Sequence, residues 1–186
     1  MEDRRVQKSK NAIQHSFFEL LKEKSLNKIT VAEICRMANV GRGTFYLHYM
    51  DVYDLYDKIE SELYAGLYQL FEDAFPSTDR ENSRKLSEGL TSYIEQHKEL
   101  FLLLIRADNS HSLQKLKAIF NEKVLLENRR LNPAGNLKYD TVEAIFVVSG
   151  MVGVLEQWLA DGMKIPRVEI AAMLNRILCK INVSFD

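Results

Sequence analysis

Residues 29–51 read ITVAEICRMANVGRGTFYLHYMD, and the order of residue types there decides how the rest of the chain is read. Thr30-Val31-Ala32-Glu33 has the spacing of a capping box, in which a hydroxyl and a carboxylate each satisfy an orphan amide at a helix start. The helix that begins there carries Val31, Ile34 and Ala38 inward. Asn39 tolerates the left-handed cap that ends a helix and Gly41 frees the backbone again, so a second, short helix restarts at Arg42. With Ile34, Ala38, Val40 and Phe45 at the elbow, this is the helix-turn-helix pattern, although an ordinary helical hairpin has the same spacing. The short helix is mixed in character: a buried helix has little use for Arg42, Thr44 and His48, and a solvated one has little use for Phe45, Tyr46 and Tyr49.

Working outward, Ile13, Phe17, Leu20 and Leu21 form one apolar stripe on a polar helix from about Arg4 to Lys24. Asp51 caps a long helix to about Phe75, with Leu55, Ile59, Leu63, Leu67, Leu70 and Phe71 at helical spacing. At 1.5 Å per residue it is roughly 35 Å long, enough to join two bodies. The stretch PSTDRENS, residues 76–83, is polar and helix-breaking, which puts the domain boundary within or just after the long helix: 1–50 as one domain, 51–75 as connector, 76–186 as the second.

In that second domain Leu86, Leu90, Tyr93 and Ile94 mark one helix, and HKELFLLLIRADNS gives a short apolar one closing at Asp108-Asn109-Ser110. A further helix from about His111 to Leu131 is stopped by Asn132-Pro133-Ala134-Gly135-Asn136. The next, from about Leu137 to Leu159, is apolar nearly all round between Ala144 and Leu155 and carries Ser149, Gly150 and Gly153. A helical glycine costs about 1 kcal/mol against alanine, so this pair requires a packing reason such as close approach of another helix. After Asp161-Gly162, Pro166 opens the last helix at its first position, and Ile170, Leu174, Ile177, Leu178 and Ile181 stripe it. Two adjacent apolar helices at the chain end point to a symmetric four-helix dimer interface through Ser149, Gly150, Gly153, Leu174, Ile177, Leu178 and Ile181, with simple core packing as the alternative. The chain is thus expected to be all-α with about nine helices.

Composition agrees with this reading. The 186 residues are 46% hydrophobic with only three prolines and eight glycines, enough apolar content for a core and little that favours a sheet. The net charge of −1 hides an asymmetry: residues 1–50 hold nine Lys/Arg against five Asp/Glu, leaving sixteen against twenty-one in the remainder. The basic charge therefore lies at the end that carries the helix-turn-helix pattern, where a polyanion is best held. The N-terminus has no apolar segment of a signal peptide and the longest uncharged run, Ala144 to Leu155, is too short to span a bilayer, so a cytoplasmic protein without a membrane partner is expected. Cys35 and Cys179 lack metal-ligand spacing and read as small buried hydrophobes. None of His15, His48, His97 and His111 has Glu three residues before it, and HExxH, GxxxxGK[ST] and GxSxG are absent, so neither an enzyme nor a metal or other cofactor is expected.

Ile29-Thr30-Val31-Ala32-Glu33-Ile34, Ala38-Asn39-Val40 and Gly43-Thr44-Phe45-Tyr46-Leu47-His48-Tyr49, followed by the Asp51 helix with Leu55, resemble the TetR (AcrR-type) family of transcriptional regulators over about residues 10–60. The tail, Trp158-Leu159-Ala160-Asp161-Gly162 with Pro166 and an amphipathic last helix, is similar to a subgroup that includes a dihydroxyacetone-kinase operon regulator. The resemblance implies a DNA-binding homodimer on a palindromic operator, with the short helix in the major groove. Arg42, Gly43 and Thr44 would face base edges and nearby phosphates, Arg42 as the bidentate partner of a guanine, while Thr30, Tyr46 and His48 hold phosphates and Phe45 and Tyr49 anchor the reader. It departs from the family at Gly41, where Ser or Thr usually caps the short helix, and at Val52, where a lysine often grips a phosphate; Lys8, Lys10 and Lys28 supply compensating charge. The resemblance also implies an effector cavity, for which Tyr64, Tyr93, His97, Arg106, His111 and Tyr139 have polar tips on buried-looking faces. A ligand-responsive repressor is the reading that results. An activator governed by a protein co-regulator is the alternative, and a helical enzyme or lipid carrier a remote third.

Overall fold

The computed structural model describes residues 4–74, 80–107 and 111–183. The described residues form α-helices and one short 3-10 turn. In order, these are α1 (Arg4–Glu23), the 3-10 turn (Leu26–Lys28), α2 (Val31–Ala38), α3 (Arg42–Tyr46), α4 (Val52–Ala74), α5 (Arg80–Gln96), α6 (Lys98–Ala107), α7 (His111–Leu131), α8 (Leu137–Ala160) and α9 (Arg167–Val183). The all-α expectation with about nine helices holds. Phe75, the Pro76 end of the polar stretch and the Asp108-Asn109-Ser110 turn lie outside the described residues. Arg80 to Ser83, read from sequence as part of a breaking stretch, instead open α5.

Two compact units emerge, and their division falls inside helices. One holds α1 to α3, α4 through Leu63, and the end of α6 from Leu103; the other holds the rest of α4 and α5, α6 through Leu102, and α7 to α9. In the first, α1 packs on α2 and α2 on α3, around Ile13, Phe17, Ile34, Phe45 and Leu55, which have no exposed surface. The hydroxyl of Tyr56 donates to the Leu104 carbonyl at 3.3 Å and so ties the end of α6 to this core.

In the second unit α5 packs chiefly on α9, and α7 on α8. The buried Ser87 and Thr91 on α5 donate their hydroxyls to the carbonyls of Ser83 and Ser87, each at 2.8 Å, so a face of small polar residues is buried without unpaired donors. Phe71 meets Phe120 edge-on at 5.6 Å. Gly162 (φ 73°) ends α8 with Met163, whose N–H reaches the Trp158 carbonyl at 2.8 Å, and the Trp158 indole donates to the Ile165 carbonyl at 2.7 Å. Pro166 lies one residue earlier than expected: it precedes α9, and its carbonyl accepts from Ile170 N–H at 3.1 Å as a helix cap does.

Two expectations about the last helices change. Leu174 and Leu178 are buried within their own chain, because the inward stripe of α9 is used up against its neighbours, so they do not offer themselves to a second copy. Cys179 is only half-buried, its thiol 3.4 Å from the Asn175 side chain, whereas Cys35 is buried as expected. By length and composition alone α8 is apolar enough to cross a membrane, and only 28% of its most apolar window is buried.

Candidate nucleic-acid interface

The helix-turn-helix is built by local chemistry that the residues dictate. Both halves of the capping box form: Glu33 N–H donates to the Thr30 hydroxyl oxygen at 3.3 Å, and the Glu33 carboxylate accepts from Thr30 N–H at 3.0 Å. The Thr30 hydroxyl also donates to that carboxylate at 2.7 Å, and Lys24 donates to its other oxygen at 2.6 Å. These contacts, Lys24 first, hold the Glu33 carboxyl down at about 2. Asn39 ends α2 in the left-handed conformation (φ 52°, ψ 46°), and Val40 N–H reaches back to the Cys35 carbonyl at 3.0 Å. Gly41 starts α3 with no side-chain cap, as its residue type requires.

α3 is then fixed from one side only. Phe45 is wholly buried and Tyr49 nearly so, with ring centroids 5.6 Å apart, and Gln14 of α1 donates to the Tyr49 hydroxyl at 3.5 Å. Burial pushes the Tyr49 phenol up. Behind the helix sits a clasp that the sequence reading missed. Lys58 on α4 donates to the His48 carbonyl at 3.0 Å and to Asp54 at 2.9 Å, and its ammonium lies 5.4 Å from the Tyr49 ring centroid. Asp54 in turn accepts from Met50 N–H at 2.8 Å, while Asp51 caps α4 by accepting from Asp54 N–H at 2.8 Å. The turn between α3 and α4 is thereby held at three points.

The opposite side of α3 is presented outward. Arg42, Gly43 and Tyr46 are exposed, Thr44 and His48 half-buried, and Arg42 forms no ion pair among the described residues. Tyr46 stands edge-on against Phe45, at 5.6 Å and 87°, so the anchor also orients the outward aromatic. Thr30 is exposed, but its hydroxyl is committed to Glu33; a phosphate there would meet the amides at the start of α2. Val52 is buried and faces the core, while its neighbour Tyr53 is exposed. Val52 therefore offers nothing outward at the start of α4, and the exposed side chain there is Tyr53, which the sequence reading did not single out.

Of the residues expected to line an effector cavity, Tyr93 and His97 meet each other. Their rings are tilted at 48° with centroids 4.4 Å apart, and Tyr93 also meets Phe101 edge-on. Tyr64 is buried, but its hydroxyl donates to the Ser112 carbonyl at 2.7 Å, tying α4 to α7. Arg106, His111 and Tyr139 are exposed, contrary to expectation, because each stands in an end turn of its helix rather than in a packed middle.

Fold and site together define a helix-turn-helix protein with a second all-helical unit. A TetR-type family model, described as the transcriptional regulator C-terminal region, matches residues 81–180, more than half of the chain. The chain belongs to the TetR family of transcriptional regulators. It is 26% identical over 123 residues to the HTH-type transcriptional regulator YxbF of Bacillus subtilis (strain 168), a match covering 64% of this chain and 32% of YxbF, so the matched stretch spans about a third of that relative. Among solved structures it is similar to a TetR-family regulator from Syntrophomonas wolfei (15% identity, 97% of each chain, TM-score 0.73). It is also similar to the dihydroxyacetone kinase operon activator DhaS (12% identity, 92% of this chain and 94% of that one, TM-score 0.61). These two likenesses are of fold, and the lower score against DhaS does not single out its subgroup.

Proposed function

We propose that this protein is a sequence-specific DNA-binding transcriptional regulator, a homodimer that represses from a palindromic operator and is released by a small-molecule effector. The observation that carries the reading is the two-sided α3: Phe45 and Tyr49 anchor it inside, while Arg42, Gly43 and Tyr46 face outward, the Arg42 guanidinium without an ion pair among the described residues. A planar cation in that position is suited to the O6 and N7 atoms of a guanine, and the net positive charge of residues 1–50 suits the phosphates around it.

The dimer reading draws on α8. Val142, Ile145, Phe146, Ser149, Gly150, Gly153 and Val154 recur at helical spacing; Phe146 is 70% exposed, and a Cβ on either glycine would meet nothing within 4 Å. Nothing among the described residues accounts for those glycines, so their packing partner is sought in a second copy, with Ile177 and Ile181 at the margin. An apolar α8 face covered in this way has no call on a membrane, and DNA as partner implies a cytoplasmic location. Two α3 helices then meet successive major grooves about 34–36 Å apart. The adjoining Tyr93 and His97 are taken as the effector contacts, and α4 and α6 each contribute residues to both units. An effector that prefers the conformation with the wrong spacing lowers operator affinity by its differential affinity for the two states.

Arg42→Ala and Tyr46→Ala test this. Each is expected to weaken operator binding by a factor of about 25 or more, because both half-sites of the dimer lose a base or phosphate contact worth a factor of about 5 to 150, while sedimentation still reports a dimer. Unchanged binding in both variants would sink the reading.

A further inference from the structure

The outward side of α3 carries two features that its polar residues do not explain. Leu47 continues the helical turn (φ −69°, ψ −23°) and its N–H reaches the Gly43 carbonyl at 3.1 Å, so the two residues lie one turn apart on the same face. Leu47 is 81% exposed, which no contact within the chain repays. Gly43 needs no left-handed backbone, and a Cβ there would meet nothing within 4 Å, so nothing in the fold asks for glycine. Alanine would make the better helix. The wider pattern agrees: among the described residues of the first unit, the exposed large apolar side chains are Met37, Tyr46, Leu47, Met50 and Tyr53, all within 37–53 and none on α1. Apolar surface concentrated at the end of the net-positive stretch 1–50, beside an arginine without an ion pair among the described residues, fits a partner that is anionic overall and apolar at isolated points.

The major groove of DNA offers one such point, the C5-methyl group of thymine. We propose that Leu47 reads a thymine methyl in each operator half-site, and that the bare backbone at Gly43 lets α3 approach closely enough for the contact. This rests on the DNA-binding reading and adds to it a base preference that no hydrogen-bonding residue supplies. One methyl taken out of water against a leucine is worth a factor of about 3 to 5 in affinity, and a symmetric dimer makes the contact twice, for a factor of about 10 to 25.

The test uses the full chain and an operator enriched from random duplex DNA. Each thymine is replaced by uracil, symmetrically in both half-sites, which removes the methyl and leaves every hydrogen-bonding group in place. Fluorescence anisotropy is expected to find one symmetric position where uracil weakens binding about tenfold or more. With Leu47→Ala that penalty disappears, with Leu47→Met it persists, and the dependence on Arg42 survives in both. Enrichment of an operator that tolerates uracil everywhere, or an equal uracil penalty in wild type and Leu47→Ala, overturns this proposal alone. Failure to enrich any sequence overturns the DNA-binding reading and this one with it.

Discussion

Glu33 holds three groups with one carboxylate: Lys24, Thr30 N–H and the Thr30 hydroxyl. The Thr30–Glu33 half was legible because its spacing is local, whereas Lys24 joins across the 3-10 turn and no spacing rule points to it. Thr30→Ala is expected to cost about 1 kcal/mol in urea unfolding, the usual loss of an N-cap. The Glu33 carboxyl sits at about 2 in the folded chain against an ordinary 4.5. A depressed folded value means that its contribution is complete above about 4.5 and is lost as pH falls through about 2. The melting temperatures of wild type and Glu33→Gln should therefore differ most above pH 4.5 and converge on acidification; a gap constant with pH would contradict the assignment. Arg42, Phe45 and Tyr49 were equally legible, since mixed polarity within one short helix leaves few ways to turn it. Val52 was not, because no residue pattern says that the start of α4 turns inward there.

α4 illustrates what element patterns omit. Its apolar stripe marked its length well, yet neither Gly66 nor Lys58 stood out, because their reasons are distant in sequence. A Cβ on Gly66 would overlap the Tyr93 hydroxyl and ring, so the glycine exists to seat that aromatic against the helix. Gly66→Ala is expected to destabilise the second unit by about 1–3 kcal/mol through overpacking. In a Tyr93→Ala background the same change should be neutral or favourable, by up to about 1 kcal/mol, because only helix propensity remains. A double-mutant cycle of thermal or urea unfolding reads this directly; equal costs in both backgrounds would contradict the seating. Lys58→Met keeps the stem and loses the hydrogen bond to the His48 carbonyl in the α3–α4 turn together with the pairing to Asp54. It should weaken DNA binding while leaving helical circular dichroism unchanged, and loss of secondary structure would show instead that the clasp serves folding.

At the scale of the whole molecule, the helix order and the paired apolar helices of the chain end were readable, but which of their stripes faces inward was not. Periodicity marks an apolar face without saying whether its own chain or another covers it, which is why Leu174 and Leu178 proved internal while Val142, Ile145 and Phe146 went unnoticed. Phe146→Glu places a charge in the centre of the exposed α8 stripe and is expected to shift sedimentation from dimer to monomer at micromolar concentration; a dimer unaffected by it would move the interface elsewhere. The division into two units, with α4 and α6 contributing to both, gives an effector a covalent route between them. All of this depends on the chain holding DNA through the outward side of α3. An anisotropy titration of the wild-type protein against an enriched duplex, repeated from 50 to 200 mM salt, tests that most directly. Six to ten phosphate contacts predict a fall in affinity by a factor of about 10³ to 10⁵ over that range, with Arg42→Ala weaker throughout. Binding that ignores salt, or the absence of binding to any enriched duplex, would contradict the account.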